Sequence, residues 1–285
     1  MELCNLGVIR QLMGEAGITF RKEYGQNFLT NRMIVDDIAD SCTENADSLI
    51  IEIGPGIGCL TQELAMRYSR VVAVEIDTGL IPVLEKTLAE FDNITVINAD
   101  IMKTDLRALV EQYAEGRPVS VCANLPYYIT TPILMHLLES GVKFPSITVM
   151  VQNEVAARLA AGAGTKDYGA ITAVLGYYGE ARKLFKVSAG CFVPAPKVDS
   201  AVVRIDVYPE PKYKPKDERL FFDLIRAAFE MRRKTLQNAI SAKLGYLNKA
   251  EVTRAILAIG KSADIRGERL STEDFVKLSD ELAKD

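Results

Sequence analysis

Residues 48–58 read Ser-Leu-Ile-Ile-Glu-Ile-Gly-Pro-Gly-Ile-Gly: an apolar, β-branched run closed by Gly54, Gly56 and Gly58. Such a run predicts a buried strand, and the glycines predict a tight turn that lets backbone approach a ligand closely. Similar runs recur at 70–76 (RVVAVEI), 93–98 (NITVIN), 118–123 (PVSVCA) and 146–151 (SITVMV), with helical patterns between them at 60–68 and 80–91. This alternation predicts a parallel sheet with helices on both faces. Residues 170–178 and 200–208 read as further strand material at the sheet edge.

Upstream, residues 5–13 carry apolar side chains at helical spacing. A polar loop follows at 21–29, and a second helix is expected to start near Thr30 or Asn31 and run through Ile34 and Ile38. Downstream, residues 209–216 (PEPKYKPK) hold three prolines and three lysines and read as a linker. Helical patterns then occupy 218–244, 249–259 and 272–283, the last with Ser271 as N-cap. The expected architecture is an α/β, Rossmann-like domain over residues 1–208 and a small all-helical C-terminal domain over 209–285.

Composition narrows the chemistry. The 285 residues include one histidine, His136, five scattered cysteines and no tryptophan. A zinc hydrolase built on several histidines is excluded, and no C-x-x-C pair suggests a zinc ribbon or a thioredoxin-like motif. No nucleophile elbow accompanies the histidine. The first 20 residues carry Glu2, Arg10 and Glu15 without the apolar run of a secretory signal, and no stretch suits a transmembrane helix. An odd set of dispersed cysteines fits a reducing, cytoplasmic setting, and a monomer is expected.

The predicted strand ends carry the candidate chemistry, because ligands of open α/β sheets bind beyond the carboxyl ends of the strands. After the Gly54–Gly58 turn, the second strand ends in Glu75-Ile76-Asp77, placing a carboxylate where it can accept both hydroxyls of a ribose. The third ends at Asp100, which could accept from an adenine amine. A dinucleotide fingerprint is G-x-G-x-x-G. Here the third glycine comes one residue early, and Pro55 lacks an N–H with which to cradle phosphate. S-adenosylmethionine has no phosphate and is cationic, so it fits better than NAD.

The fourth strand ends in Asn124-Leu125-Pro126-Tyr127. An aromatic amine is a weak nucleophile, because its lone pair is delocalised into the ring. Acceptors aimed at its two N–H bonds localise that pair. The Asn124 side-chain carbonyl and the Leu125 main-chain carbonyl can serve, in a turn fixed by Pro126, while Tyr127 stacks on the base. Positioning then supplies most of the catalysis, and no strong general base is needed.

With these residues in view, the chain resembles the KsgA-type ribosomal RNA adenine dimethyltransferases. The resemblance rests on RKEYGQNFL (21–29), EIGPGIG (52–58), NLPY (124–127), FVPAPKVDSAVVR (192–204) and FEMRRKTLQN (229–238). It implies transfer of four methyls from S-adenosylmethionine to two adjacent adenosines, in a hairpin loop near the 3′ end of 16S rRNA within the small ribosomal subunit. It also implies that Asn27, Leu29, Gly54, Glu75, Asp100 and Asn124 line the cofactor site. Tyr127 and Phe192 would sandwich an adenine flipped out of its stack.

An RNA partner needs positive charge. The net charge of −4 conceals an asymmetry: residues 180–285 hold 21 Lys and Arg against 16 Asp and Glu, and the remainder is net −9. Arg226, Arg232, Arg233 and Lys234 are expected to cluster on one helix, with Arg21 and Lys22 adding charge beside the cofactor loop. Three rival readings remain at this point. One is an enzyme dimethylating 23S rRNA and conferring antibiotic resistance, disfavoured by residues 192–204. The second is a non-catalytic ribosome-assembly or transcription factor on the same fold. The third is a NAD-dependent oxidoreductase.

Overall fold

The structure is a computed structural model and describes residues 1–18 and 26–283. The expected contacts of Arg21 and Lys22 lie outside the described residues. The chain divides into two compact units, Met1–Ala156 with Arg182–Val207 and Ala157–Ala181 with Tyr208–Asp285.

The first unit opens with α1 (Leu6–Glu15), whose N-cap Asn5 accepts from the amide of Gly7. The short strand β1 (Phe28–Leu29) and helix α2 (Arg32–Asp40) follow. The α/β alternation then unfolds as β2 (Leu49–Ile53), α3 (Cys59–Arg67), β3 (Arg70–Glu75), α4 (Ile81–Thr87), β4 (Ile94–Asn98), α5 (Leu106–Tyr113), β5 (Val119–Asn124), α6 (Thr130–Glu139) and β6 (Ser146–Gln152). Helices α7 (Asn153–Leu159) and α8 (Ala170–Tyr178) lead into β7 (Gly179–Val187), β8 (Phe192–Val193) and β9 (Ser200–Val207).

The main sheet runs β4-β3-β2-β5-β6-β9-β7. The pairs β4/β3, β3/β2, β2/β5 and β5/β6 are parallel, and β9 returns antiparallel to β6. Strand order reverses between β2 and β5, so the crevice at their carboxyl ends is the topological switch point where such sheets bind ligands. Every residue of β2 is buried, which is why it reads as a continuous apolar run rather than an alternation. A separate two-stranded ribbon pairs β1 with β8, with Phe28 opposite Val193 and Leu29 opposite Phe192.

The second unit collects α8 with α9 (Glu218–Glu230), α10 (Leu236–Lys243), α11 (Lys249–Ala258) and α12 (Thr272–Leu282). Its core centres on Phe221, Leu224, Ile240, Val252, Ile256, Leu270 and Phe275, all fully buried. As expected, Ser271 caps α12: its hydroxyl accepts from the amide of Asp274, whose carboxylate accepts from the Ser271 amide.

Four readings from sequence are corrected. Residues 170–178 form a helix, because Ala173 and Tyr177 enter the helical core and Tyr177 packs against Phe221 at 5.3 Å. Their β-branched and aromatic content gave way to this tertiary packing. This segment also moves the boundary, since 157–181 joins the C-terminal helices rather than the sheet domain. The third concerns residues 218–244, which are two helices. Helix α9 stops at Glu230, the Lys234 amide bonds back to the Met231 carbonyl, and the Leu236 amide is captured by Ile265 at 2.7 Å. In addition, Ser200–Val207 lies inside the sheet, not at its edge, which belongs to β7.

Candidate active site

A cavity opens at the switch point. Its wall includes Gln26, Asn27, Phe28 and Leu29 from the β1 segment and Glu52, Gly54, Pro55, Gly56 and Ile57 from β2 and its turn. Glu75 and Ile76 come from the end of β3, and Asn124–Tyr127 from the end of β5. Thus Asn27, Leu29, Gly54, Glu75, Asn124, Leu125, Pro126 and Tyr127 converge as the sequence led us to expect.

The turn is built from glycine for two reasons. Gly54 and Gly56 have φ of +69° and +62°, a region that L side chains rarely adopt. A Cβ on Gly56 would also lie 2.9 Å from Cε1 of Phe28. Backbone and the β1 segment therefore touch where any larger residue would separate them.

Glu75 is 4% exposed, and both its oxygens are held: Oε2 accepts from the Gly56 amide at 3.2 Å and Oε1 from the Asp77 amide at 2.8 Å. Burial pushes its pKa upward, and these backbone donors oppose the shift. Each carboxylate oxygen keeps acceptor capacity for a ligand hydroxyl. Asp77 extends the network by accepting from Gln26 Nε2 at 2.9 Å, which fastens the entry segment to the end of β3.

Glu52 was not singled out from sequence, although one acidic residue in an otherwise apolar strand was a visible signal. It is 1% exposed, and its Oε2 is buried without a hydrogen-bond partner. Burial, opposed by the nearby Thr61 hydroxyl and reinforced by the negative charge of Glu75, raises its pKa to about 8. Two buried acids on one cavity wall make a site where a cationic ligand favours the ionised forms and a phosphate is repelled.

Asn124 sits at the carboxyl end of β5. Its Nδ2 donates to the main-chain carbonyl of Asn27 at 3.1 Å, which fixes the amide plane and leaves Oδ1 as the acceptor. The following turn is anchored on both sides. The Leu125 amide donates to Met150 of β6 at 3.1 Å, and the Thr130 hydroxyl, at the start of α6, donates to the Pro126 carbonyl at 3.1 Å. The Tyr127 hydroxyl meets Ser200 Oγ at 2.6 Å, which fixes the ring at the cavity wall, and burial raises the phenol pKa.

Two expected site residues stand elsewhere. Phe192 is not among the residues of this cavity wall: it is 3% exposed and packs with Leu29 and Val187. Asp100 lies outside the cavity wall. Its Oδ1 caps a short 3-10 turn by accepting from the Met102 amide at 3.0 Å, and Lys103 approaches Oδ2 at 3.7 Å.

The basic cluster is also rearranged. Arg226 lies on α9 and pairs with Asp223 at 3.1 Å, while Arg232, Arg233 and Lys234 occupy the turn between α9 and α10. Arg232 is engaged by Glu268 at 2.8 Å and by the Lys166 carbonyl at 2.8 Å. Arg233 and Lys234 are exposed. With the observed boundary, the second unit holds 18 Lys and Arg against 15 Asp and Glu, net +3, so the charge asymmetry persists in reduced form.

The doubly wound sheet and a cation-favouring cavity that ends in Asn-Leu-Pro-Tyr define a Rossmann-like methyltransferase. The profile of the family described as "Ribosomal RNA adenine dimethylase" matches residues 17–284, and the chain belongs to that family. Among its curated relatives is the ribosomal RNA small subunit methyltransferase A of Alkaliphilus metalliredigens, 48% identical over 93% of this chain and 92% of that protein. The protein of the same description from Streptococcus pneumoniae is 44% identical over 99% and 98%. The fold is similar to a dimethyladenosine transferase from Plasmodium falciparum, with a TM-score of 0.72 and 25% identity over 88% of this chain and 95% of that one. It is also similar to the 23S rRNA methyltransferase ErmE, with a TM-score of 0.69 and 27% identity over 90% and 99%.

Proposed function

We propose that this protein is an S-adenosylmethionine-dependent enzyme that dimethylates the N6 amines of two adjacent adenosines near the 3′ end of 16S rRNA, as a step in small-subunit biogenesis. The observation that carries the reading is the Asn124 amide at the cavity wall, whose Nδ2 is held by the Asn27 carbonyl, leaving Oδ1 to act as an acceptor. Relatives 44–48% identical to this chain are described as small-subunit methyltransferases, which favours 16S over 23S rRNA. Substrate in a small-subunit particle, a cytoplasmic location and a monomeric enzyme complete the proposal; no helix among the described residues is long and apolar enough to cross a membrane.

The residues present fit the cofactor. The unpaired Glu52 oxygen and Glu75 suit a ligand that carries an ammonium, a sulfonium and ribose hydroxyls. Glu75 would take the ribose and Glu52 the ammonium, with the backbone of Asn27, Leu29, Gly54 and Gly56 against the rest. Asp100 remains a candidate for the adenine amine from outside the present wall. When bound, S-adenosylmethionine supplies an electrophilic methyl group.

On the acceptor side, Asn124 Oδ1 and the Leu125 carbonyl accept from the two N–H bonds of the target amine and aim its lone pair at the cofactor side of the cavity. Pro126 holds the turn, and the Tyr127 ring, fixed through Ser200, stacks on the extruded base. The amine proton becomes acidic as the new bond forms, so no imidazole is needed. Exposed Arg233 and Lys234 supply phosphate contacts.

The test is direct. Labelled S-adenosylmethionine and unmethylated small-subunit particles are incubated with the protein, with large-subunit particles in parallel, and each rRNA is digested to nucleosides. Dimethyladenosine in 16S rRNA is expected. Its absence there, or its appearance in 23S rRNA alone, refutes the proposal.

A further inference from the structure

Cys4 and Cys59 are 55 positions apart in the chain, yet their sulfurs lie 2.8 Å from one another. Cys4 precedes α1, and Cys59 is the first residue of α3, immediately after the glycine turn. Both are free thiols and partly exposed. Cys59 also lines the cavity beside Glu52 and Gly56.

The other thiols differ in kind. Cys42 and Cys122 are both fully buried, where a solution oxidant cannot reach them. Cys191 is partly exposed, and its contact is with Asn31 Nδ2 at 3.9 Å rather than with another sulfur.

We infer that Cys4 and Cys59 are a modification site: a dithiol that small disulfides oxidise reversibly to a cross-link between the α1 segment and the cofactor turn. The geometry supplies proximity, since sulfurs 2.8 Å apart are within roughly 0.8 Å of disulfide bonding distance. Electrostatics supplies the nucleophile. The hydrogen bond from Cys59 and the charge of Arg32 lower the Cys4 pKa, while the same bond and burial raise that of Cys59.

The chemistry balances with glutathione disulfide as oxidant. The Cys4 thiolate attacks one sulfur of the reagent, breaking its S–S bond, forming a mixed disulfide and releasing one thiol. Cys59 then gives its proton to water and attacks Cys4 Sγ, which breaks the mixed bond and releases the second thiol. The protein loses two electrons and the reagent gains them. In a reducing compartment the pair rests as thiols and closes only under oxidative load.

The linkage ties the N-terminal segment to residues that also pack together through Leu3, Ile9, Phe28 and Ile57. Closing so long a loop should raise the thermal midpoint of the intact protein by roughly 5 °C or more. A ligand in the cavity would cover Cys59. S-adenosylhomocysteine should therefore slow oxidation several-fold, an arm that rests on the cofactor reading above.

The experiment treats the full chain with glutathione disulfide, maps peptides by mass spectrometry and counts free thiols before and after dithiothreitol. A Cys4–Cys59 peptide that dithiothreitol reverses is expected, with Cys4→Ser giving no cross-link and no thermal shift. Both residues remaining thiols, or oxidation confined to Cys191, overturns the inference. If the cross-link forms but S-adenosylhomocysteine gives no protection, the cofactor placement fails and the thiol pair stands.

Discussion

Glu52→Gln should stabilise the free protein and weaken its cofactor, two effects of opposite sign from one carboxyl group. The side chain is 1% exposed, has an unpaired oxygen, and its pKa stands at about 8 against an ordinary 4.5. Folding therefore makes this group hold a proton at neutral pH that it would release in the unfolded chain. Between about pH 4.5 and 8 the native state binds more protons than the unfolded state, so stability falls as pH rises and levels off above 8. At pH 7 the penalty is on the order of 3 kcal/mol. Glutamine carries no such cost, so the thermal midpoint at pH 7 should rise by roughly 5–10 °C. The gain should vanish near pH 4.5 and be largest above pH 8.

A cationic ligand reverses the balance, because it favours the carboxylate. Wild-type protein should bind S-adenosylhomocysteine with proton release near pH 7 and with affinity rising up to about pH 8. The variant should lose roughly 10–150-fold in affinity, the worth of one charge-assisted hydrogen bond, and should release no proton. Thermal melts at several pH values and calorimetry in two buffers of different ionisation enthalpy measure all of this. An unchanged or lowered midpoint at pH 7, together with normal binding, would refute both the buried neutral acid and its ligand role.

Asn124→Ala should lower methyl transfer by about 10²–10³-fold, the scale of one preorganised polar contact, with the far-ultraviolet circular dichroism unchanged; near-normal turnover would remove its role. Gly56→Ala forces a Cβ to within 2.9 Å of Phe28 at a φ of +62°, so we expect a stability loss of about 1–3 kcal/mol in denaturant titrations and weaker S-adenosylhomocysteine binding. Tyr127→Phe should lose little activity and Tyr127→Ala much more, because the ring stacks while the hydroxyl only anchors it to Ser200; equal losses in a methylation assay would contradict that division. Charge reversal at Arg233 and Lys234 should weaken particle binding in a salt-dependent way and leave S-adenosylhomocysteine affinity alone. Arg232→Glu is a poorer probe, since it also breaks the contacts to Glu268 and Lys166.

The local text of the chain already determined the sheet and most of the residues that line its cavity. Strands β2 to β6 are fully or partly buried runs bounded by turn residues, so hydrophobicity alone marked them, and the glycines at 54 and 56 announced the backbone they adopt. Asn-Leu-Pro-Tyr could be read because its chemistry lies within four consecutive residues. Tertiary structure decided what depends on distant partners. Residues 170–178 became a helix because Phe221 and the rest of the helical core receive Tyr177 there, a long-range contact that outweighs local propensity. The break after Glu230 has no glycine or proline to signal it; it follows from Ile265 capturing the Leu236 amide. Phe192 carries the same aromatic ring whether it faces a cavity or a core, and only its pairing with Leu29 places it inside. Glu52 was visible as a residue type, but its unpaired oxygen and displaced proton exist only once the sheet has closed around it and brought Glu75 near. Burial and partnership are sums over neighbours from many parts of the chain, and no single stretch of sequence contains them.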